Sequence, residues 1–453
     1  MDCMNSMGKI ILTIVSASIV ITAYPQAPRI VNEFSIQQCL DYAHQHNVQV
    51  RNALLDLQIQ EQTNKSITAG ALPTVSGNGS ATDFFKTPVT LVPAEFFGGT
   101  PGTYMAVSFQ PKYSANASIQ LTQTLFDGQV FVGLQARQAS LDYYQKNIDI
   151  TKESISANIH KIYYQLVVGK TQVAQIDANI ERAEKLLHDT KAMYENGFQE
   201  KLDIDKATVQ LTNLQTQKET LLSNLANGYY GLKFLMGMSV TDSLVLTDNF
   251  TEEDLKTGVL DDTAYHYEDR NDYQGLEISK KLNQYNVKRY KYSYLPVLSL
   301  NASYQKNALG NTYDFFSSSG KWYTTAYAGL SINVPIFSGF SKDANLKKAK
   351  LQLQQTENMI DNLKISIDND VMQARNRFKA DLITVMSQKK NMELAVSVYD
   401  QTKKKYESGL ASNTDLTNAQ TDLRVAEANY ISAMYDAIIV KVDYLRVIGK
   451  LKY

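Results

Sequence analysis

What this 453-residue chain lacks narrows it first. Past residue 28 no stretch reaches 18 uninterrupted apolar residues, so that part offers no transmembrane helix, which needs about 20. The sequence has two cysteines, Cys3 and Cys39. Cys3 falls in a leader-like segment, and the one thiol left cannot close an intrachain disulfide. Ile36-Gln37-Gln38, just ahead of Cys39, lacks the small residues expected before a lipid-modified cysteine. Neither sign of charge dominates, with 45 Lys plus Arg against 46 Asp plus Glu and no long block of one sign. That balance argues against nucleic acid as a partner. No Gly-rich phosphate loop or nucleophile motif is found, so an enzyme reading has nothing positive beneath it. His44 and His46 are two apart and point about 200° away from each other on a helix, while His160, His188 and His266 are isolated. Neither a metal site nor a cofactor site is expected.

The N-terminus carries Lys9, then twelve uncharged and mostly apolar residues at 10–21, then Ala23, Pro25, Ala27 and Pro28. This is the layout of a secretory signal peptide, expected over residues 1–27. Since a bilayer interior tolerates only helices or closed β-barrels, any insertion by the rest of the chain requires a barrel. A soluble periplasmic protein is the competing reading at this point.

The chain is one unit written twice. Tyr194-Glu195-x-Gly197 returns as Tyr406-Glu407-x-Gly409, Asp203 as Asp415, Ala207 as Ala419, Leu211 as Leu423 and Gly237 as Gly449, each pair 212 apart. Leu72-Pro73-x-x-Ser76 returns as Leu295-Pro296-x-x-Ser299 at an offset of 223. The halves are therefore expected at 28–238 and 262–453, joined by a linker at 239–261.

Each half holds a sustained heptad. Leu134, Leu141, Ile148, Ile155 and Ile162 form one row, and Ile159, Leu166, Val173, Ile180, Leu187 and Tyr194 a second. Leu346, Leu353, Ile360, Ile367 and Ala374, with Val371, Phe378, Val385, Met392, Tyr399 and Tyr406, repeat them. Such rows mean long helices in knobs-into-holes contact, expected at 129–195 and 341–406, uninterrupted by proline. At 1.5 Å per residue the first is about 100 Å long. Shorter helical patterns cover 34–70, 200–236, 262–294 and 412–448, and Gly197 and Gly409 sit where long helix gives way to short.

Other segments alternate with period two. Tyr113, Ala115, Ala117, Ile119 and Leu121 oppose Ser114, Asn116, Ser118, Gln120 and Thr122. Strands are expected at 74–82, 113–125, 297–305 and 323–336, giving one hairpin per repeat with tips near 86–111 and 306–321. Alternation alone fits a sheet on a soluble core equally well. Aromatic residues at or near the strand ends, among them Tyr113, Phe126, Tyr304, Trp322 and Phe337, favour membrane-interface girdles. Four strands are too few to close a membrane barrel, so insertion would require oligomerisation.

The ordered set resembles the TolC-type outer-membrane efflux proteins over essentially the whole chain after the leader. The features that carry the resemblance are the duplicated helix, hairpin, long helix and short helix, and the Leu-Pro-x-x-Ser segments. Two more are the corners Phe126-Asp127-Gly128 and Phe337-Ser338-Gly339, and the Tyr-x-x-Gly turns with Asp203 and Asp415 six residues beyond their glycines. The resemblance implies a mainly α fold with a small β part. As a homotrimer it would form a 12-stranded outer-membrane barrel continued by a periplasmic helical barrel. Its implied partners are a periplasmic adaptor (membrane fusion) protein, an inner-membrane transporter and outer-membrane lipid. It further implies a periplasmic entrance with Asp415, Asn418 and Asp203 as candidates, Asp415 ahead of Asp203 as its ring of charge, and adaptor docking at the tips around Gly197 and Gly409. Asn418 stands where many relatives carry a second acid, and the first repeat has Lys206 there. Against these roles, an acid in a first helical turn is a good cap, as is a glycine past a helix end. A periplasmic adaptor or a coiled-coil structural or adhesive protein are the alternative classes. The first would show one helical hairpin nested between β-rich halves, the second no pair of amphipathic β-hairpins.

Overall fold

The computed structural model describes residues 31–248, 251–256, 264–318 and 320–451. The expected signal peptide at 1–27 lies outside them, as does part of the linker expected at 239–261.

Strand β1 (Val31–Phe34) leads into α1 (Ile36–His46), which opens on a reciprocal capping box between Ser35 and Gln38. One helix was expected over 34–70, but Asn47 divides it, and α2 (Val48–Ala69) starts afresh. The reason is local. Asn47 leaves helical geometry at ψ 131° and its side-chain oxygen accepts from Gln49 N at 2.7 Å. Its amide meanwhile donates to Leu235 O at 2.7 Å. The break thereby ties α2 to the end of α4 (Lys201–Met236). There Gly237, at φ 73°, packs so close to His46 O that a Cβ would lie 2.5 Å from it.

The sheet comprises β2 (Thr74–Asp83), β5 (Tyr113–Phe126), β7 (Val297–Gly310) and β8 (Trp322–Asn333), antiparallel in that order. The expected tip at 86–111 contains a second small hairpin, β3 (Thr90–Pro93) with β4 (Tyr104–Val107). The other tip shrinks to 311–321 because β7 runs to Gly310, and β8 stops at Asn333, short of the expected 336. Cross-strand register sorts the side chains cleanly. Val75, Leu121, Ala302 and Ala328 share one face, as do Ile119, Tyr304 and Ala326. Ser76, Gln120, Ser303 and Tyr327 share the other, with Asn78, Ser118 and Gln305 beside them. One face is thus apolar and the other lined by hydroxyls and amides.

Below the sheet run the two long helices, α3 (Gly128–Glu195, 68 residues) and α7 (Ser341–Glu407, 67 residues). Asp127 caps the first by accepting from Gln129 N at 2.7 Å. The second starts without a side-chain cap, at Phe340 with φ 64°. Helix α6 (Asn271–Tyr292) begins later than the expected 262, after a short 3₁₀ turn at Tyr267–Asp269. Helix α8 (Asn413–Val447) returns along α7. The segment expected as a plain linker contains β6 (Ser243–Leu246), parallel to β1, and α5 (Glu252–Lys256), whose Leu255 is buried against α8.

Heptad burial holds at Ile148, Ile155, Ile159 and Leu166, then shifts to Ile176, Ala183, Leu186 and Thr190. Val173, Ile180 and Leu187 become half-buried. A straight helix drifts by about 20° per heptad, and α3 exchanges α6 for α8 as its neighbour along its length. Side by side the helices read α2, α3, α6, α7 near the sheet and α4, α3, α8, α7 farther away. One edge is therefore α2 and α4, on the side of α3; the other is α7.

Candidate functional site: the helical tips

Both turns at the end remote from the sheet are built the same way. At 196–200, Phe198 N donates to Met193 O at 2.8 Å and Gly197 N to Tyr194 O at 2.9 Å. At 408–412, Leu410 N donates to Lys405 O at 2.7 Å and Gly409 N to Tyr406 O at 3.0 Å. These are Schellman closures, and Gly197 (φ 81°) and Gly409 (φ 74°) supply the left-handed residue each requires. A Cβ at either would meet nothing within 4 Å, so backbone strain alone selects glycine. Each turn then presents one bare apolar side chain: Phe198 and Leu410 are both 80% exposed. Neither was singled out in the sequence, where a single apolar residue after a cap glycine carries no periodic signal.

The two acids differ. Asp415 is exposed and closes a capping box: its carboxylate accepts from Ser412 N at 3.0 Å and Ser412 Oγ at 2.7 Å, while its own N–H donates to Ser412 Oγ at 3.1 Å. Those bonds to Ser412 hold its pKa below the ordinary carboxylate value. Asp203 instead faces Lys206 at 3.8 Å, and the first residue of its turn, Glu200, makes no side-chain cap bond. Asn418 is exposed one turn beyond Asp415.

The tips are fastened to each other. Leu186, Tyr406 and Leu416 form a small core with Met193, Tyr399 and Ala411 around it, and Tyr406 Oη lies 3.5 Å from Met193 Sδ. Higher up, Arg182 reaches Glu427 at 3.3 Å and Asn179 Oδ1 at 2.7 Å. Asn179 Nδ2 donates to Glu427 at 3.2 Å, and the guanidinium lies 5.8 Å from the Tyr399 ring centre. Glu427 is 5% exposed, so this polar knot across α3 and α8 is inside the helical wall. A signal for it existed. Asn413, Gln420 and Glu427 are buried polar residues spaced by seven on α8, a polar row where a seam would ordinarily be apolar.

Among the described residues no group of His, Cys, Asp and Glu is placed to hold a metal ion. His44 bonds Ser156 Oγ at 2.9 Å and His46 bonds Tyr42 O at 2.9 Å, each on its own. No described helix is long and apolar enough to cross a membrane, which says nothing of the sheet.

Residues 269–446 match the family model described as outer membrane efflux protein. The outer membrane protein TolC of Vibrio cholerae is 20% identical over 337 residues, covering 74% of this chain and 77% of that one. The Escherichia coli TolC is 21% identical over 351 residues, covering 75% and 70%. Among solved structures, the outer membrane protein VceC of Vibrio cholerae superposes with a TM-score of 0.71 at 14% identity, over 91% of this chain and 96% of that one. With the duplicated helices and the two-faced sheet, these likenesses show that the chain has the fold of outer-membrane efflux channels and that its second repeat matches their family model.

Proposed function

We propose that three copies close head to tail into one export duct, which passes cargo from an inner-membrane pump through a periplasmic adaptor to the cell exterior and catalyses no reaction itself. The observation that carries this is a pair of matched open edges. Strand β8 and helix α7 lie at one side of the protomer, and β2 with α2 and α4 at the other. Strand β8 runs antiparallel to β2, so the β8 of one copy can pair with β2 of the next without reversal. The helix edges are unfinished in the same sense. On α7, Leu351, Ile365, Ile383 and Met386 are exposed, and on the opposite edge so are Ile59, Val209 and Leu222. A heterologous contact of this kind either closes into a ring or grows open-ended. Three copies give twelve strands, above the minimum of eight for a barrel. Closure removes edge groups that would otherwise cost several kcal/mol each in lipid.

In the closed ring the hydroxyl- and amide-lined face of the sheet would bound the lumen, and the apolar face would meet lipid. The exposed Phe198 and Leu410 suit docking of an apolar adaptor segment at the tips around Gly197 and Gly409. Asp415, exposed and held ionised by Ser412, supplies one carboxylate per copy at the entrance. Asp203 is partly neutralised by Lys206, so of the two it is the weaker gate candidate, and Asn418 adds no charge. Electron microscopy of detergent-extracted protein should show a three-fold hollow cylinder with a helical portion of about 100 Å. A monomeric solid rod would overturn the duct. In planar bilayers, Asp415→Ala should reduce cation preference, read as a reversal-potential shift in a salt gradient. An unchanged potential removes Asp415 from the entrance.

A further inference from the structure

Within the four strands of the sheet only two residues carry charge, Asp83 at the end of β2 and Lys306 inside β7. Lys306 is paired with Ala117 on one side and Thr324 on the other, on the apolar face between Tyr304 and Ala308, and it is exposed. It lies four residues from the outer end of β7, about 13 Å along the strand and roughly 10 Å in depth at the usual barrel tilt. A lysine on a barrel's lipid face costs up to about 2–4 kcal/mol at the midplane and far less near the interface. Its aliphatic stem lets the ammonium bend outward to the headgroups.

What lies outward of it is shaped. The 311–321 loop folds down onto the same face, burying Phe315 against Ala115 and Ala308. Trp322 Nε1 donates to Phe315 O at 2.9 Å. Tyr113 and Tyr313 meet edge to face at 5.8 Å, and Phe316 lies 6.3 Å from Trp322. Beyond this aromatic patch, the Lys112 ammonium sits 4.9 Å from the Tyr113 ring centre. Lys306 and Lys112 thus lie to either side of an aromatic patch, with Asp83, the register partner of Tyr113, beside Lys112. The acids at this end are Asp83, Glu95 and Asp314, and Lys306 forms no ion pair among the described residues.

We propose that Lys306, beneath the aromatic patch, seats the phosphate of an outer-leaflet lipid, its acyl chains lying on the apolar face below. Charge complementarity and continuity with the lipid-facing surface select this occupant. A second protein would leave Lys306 needing an acid, and would displace lipid from the barrel wall. The inference rests on the barrel reading above, so the test reads both at once.

Native mass spectrometry of detergent-purified trimer is the experiment, with lipid A and dephosphorylated lipid A as probes. The unmodified trimer should retain lipid A about tenfold more tightly than the dephosphorylated form, the low end for a hydrogen bond between charged groups. Lys306→Met should erase that difference while remaining a trimer, and Lys306→Arg should keep it. A trimer that retains both probes equally, or loses lipid A to millimolar inorganic phosphate, overturns the lipid seat alone. A spectrum without trimer overturns the barrel and the seat together.

Discussion

The two repeats share a pattern but not an environment. Helix α3 is enclosed by its own chain, packing on α1, α2, α4, α6 and α8, whereas α7 touches only α6 and α8 in quantity. Both carry the same heptads, yet Leu351, Ile365, Ile383 and Met386 of α7 stand open. Similar amphipathic stripes thus found different partners: for α3 the protomer supplies them, for α7 it does not. An apolar row left bare beside a bare sheet edge is what the proposed ring would cover.

The largest effect should come from spoiling that open side. Ile365→Asp with Ile383→Asp would place six carboxylates in the seams of the proposed trimer. Each lost isoleucine forfeits roughly 1.5–3 kcal/mol of burial, so assembly should fall by more than a thousandfold, read as monomer in native mass spectra. Persistence of the trimer would mean that α7 does not face a neighbour.

Next is an asymmetry in acid. His160 of the first repeat is matched at the 212 offset by Met372. Burial lowers the His160 pKa from 6.5 to about 4, and burial with Lys152 nearby lowers that of His44 too. Between those values the unfolded chain binds a proton that the folded chain refuses. Stability is therefore full above pH 6.5 and falls as pH drops toward 4, by on the order of 3 kcal/mol for His160. His160→Met, copying the second repeat, should flatten the fall in melting temperature over that window. An unchanged slope would place the acid sensitivity elsewhere.

The tip glycines allow a sharper comparison. Gly197→Val and Gly409→Val should each cost about 1–2 kcal/mol through left-handed strain alone, since neither Cβ meets a neighbour. Equal losses in melting temperature with unequal losses in export would assign docking to one turn; equal losses in both would leave the turns equivalent. The smallest effect concerns the strand-to-helix corners. Asp127 caps the first, but Phe340 occupies left-handed space in the second. Phe340→Gly should stabilise by up to about 1 kcal/mol, whereas Asp127→Ala should destabilise by about as much; thermal melts of both variants test the contrast.

Much of the architecture was legible because its signals are periodic. The long helices at 129–195 and 341–406 differ by a residue or so from Gly128–Glu195 and Ser341–Glu407. Strands with alternating hydroxyls and apolar residues were found less closely, β7 running five residues past the expected 305 and β8 stopping three short of 336. What escaped was aperiodic. Asn47 reads as one polar residue within a helical pattern until its amide is seen on Leu235 O, 188 positions away. Residues 31–34 and 243–246 are too short to declare a parallel pair across the repeats. The Arg182–Asn179–Glu427 knot needed α3 beside α8, although the polar row at 413, 420 and 427 hinted at it.

Sequence alone determined the duplication, the long helices, the four sheet strands and which side of each is apolar, because 3.5- and 2-residue periods are local consequences of backbone geometry. It also marked both turns, since only glycine takes their left-handed residue cheaply. Tertiary structure alone decided which stripe each helix buries and that Lys306 stands on the apolar face beneath an aromatic patch. Those depend on register and on neighbours hundreds of residues apart in the chain, and no local rule encodes them.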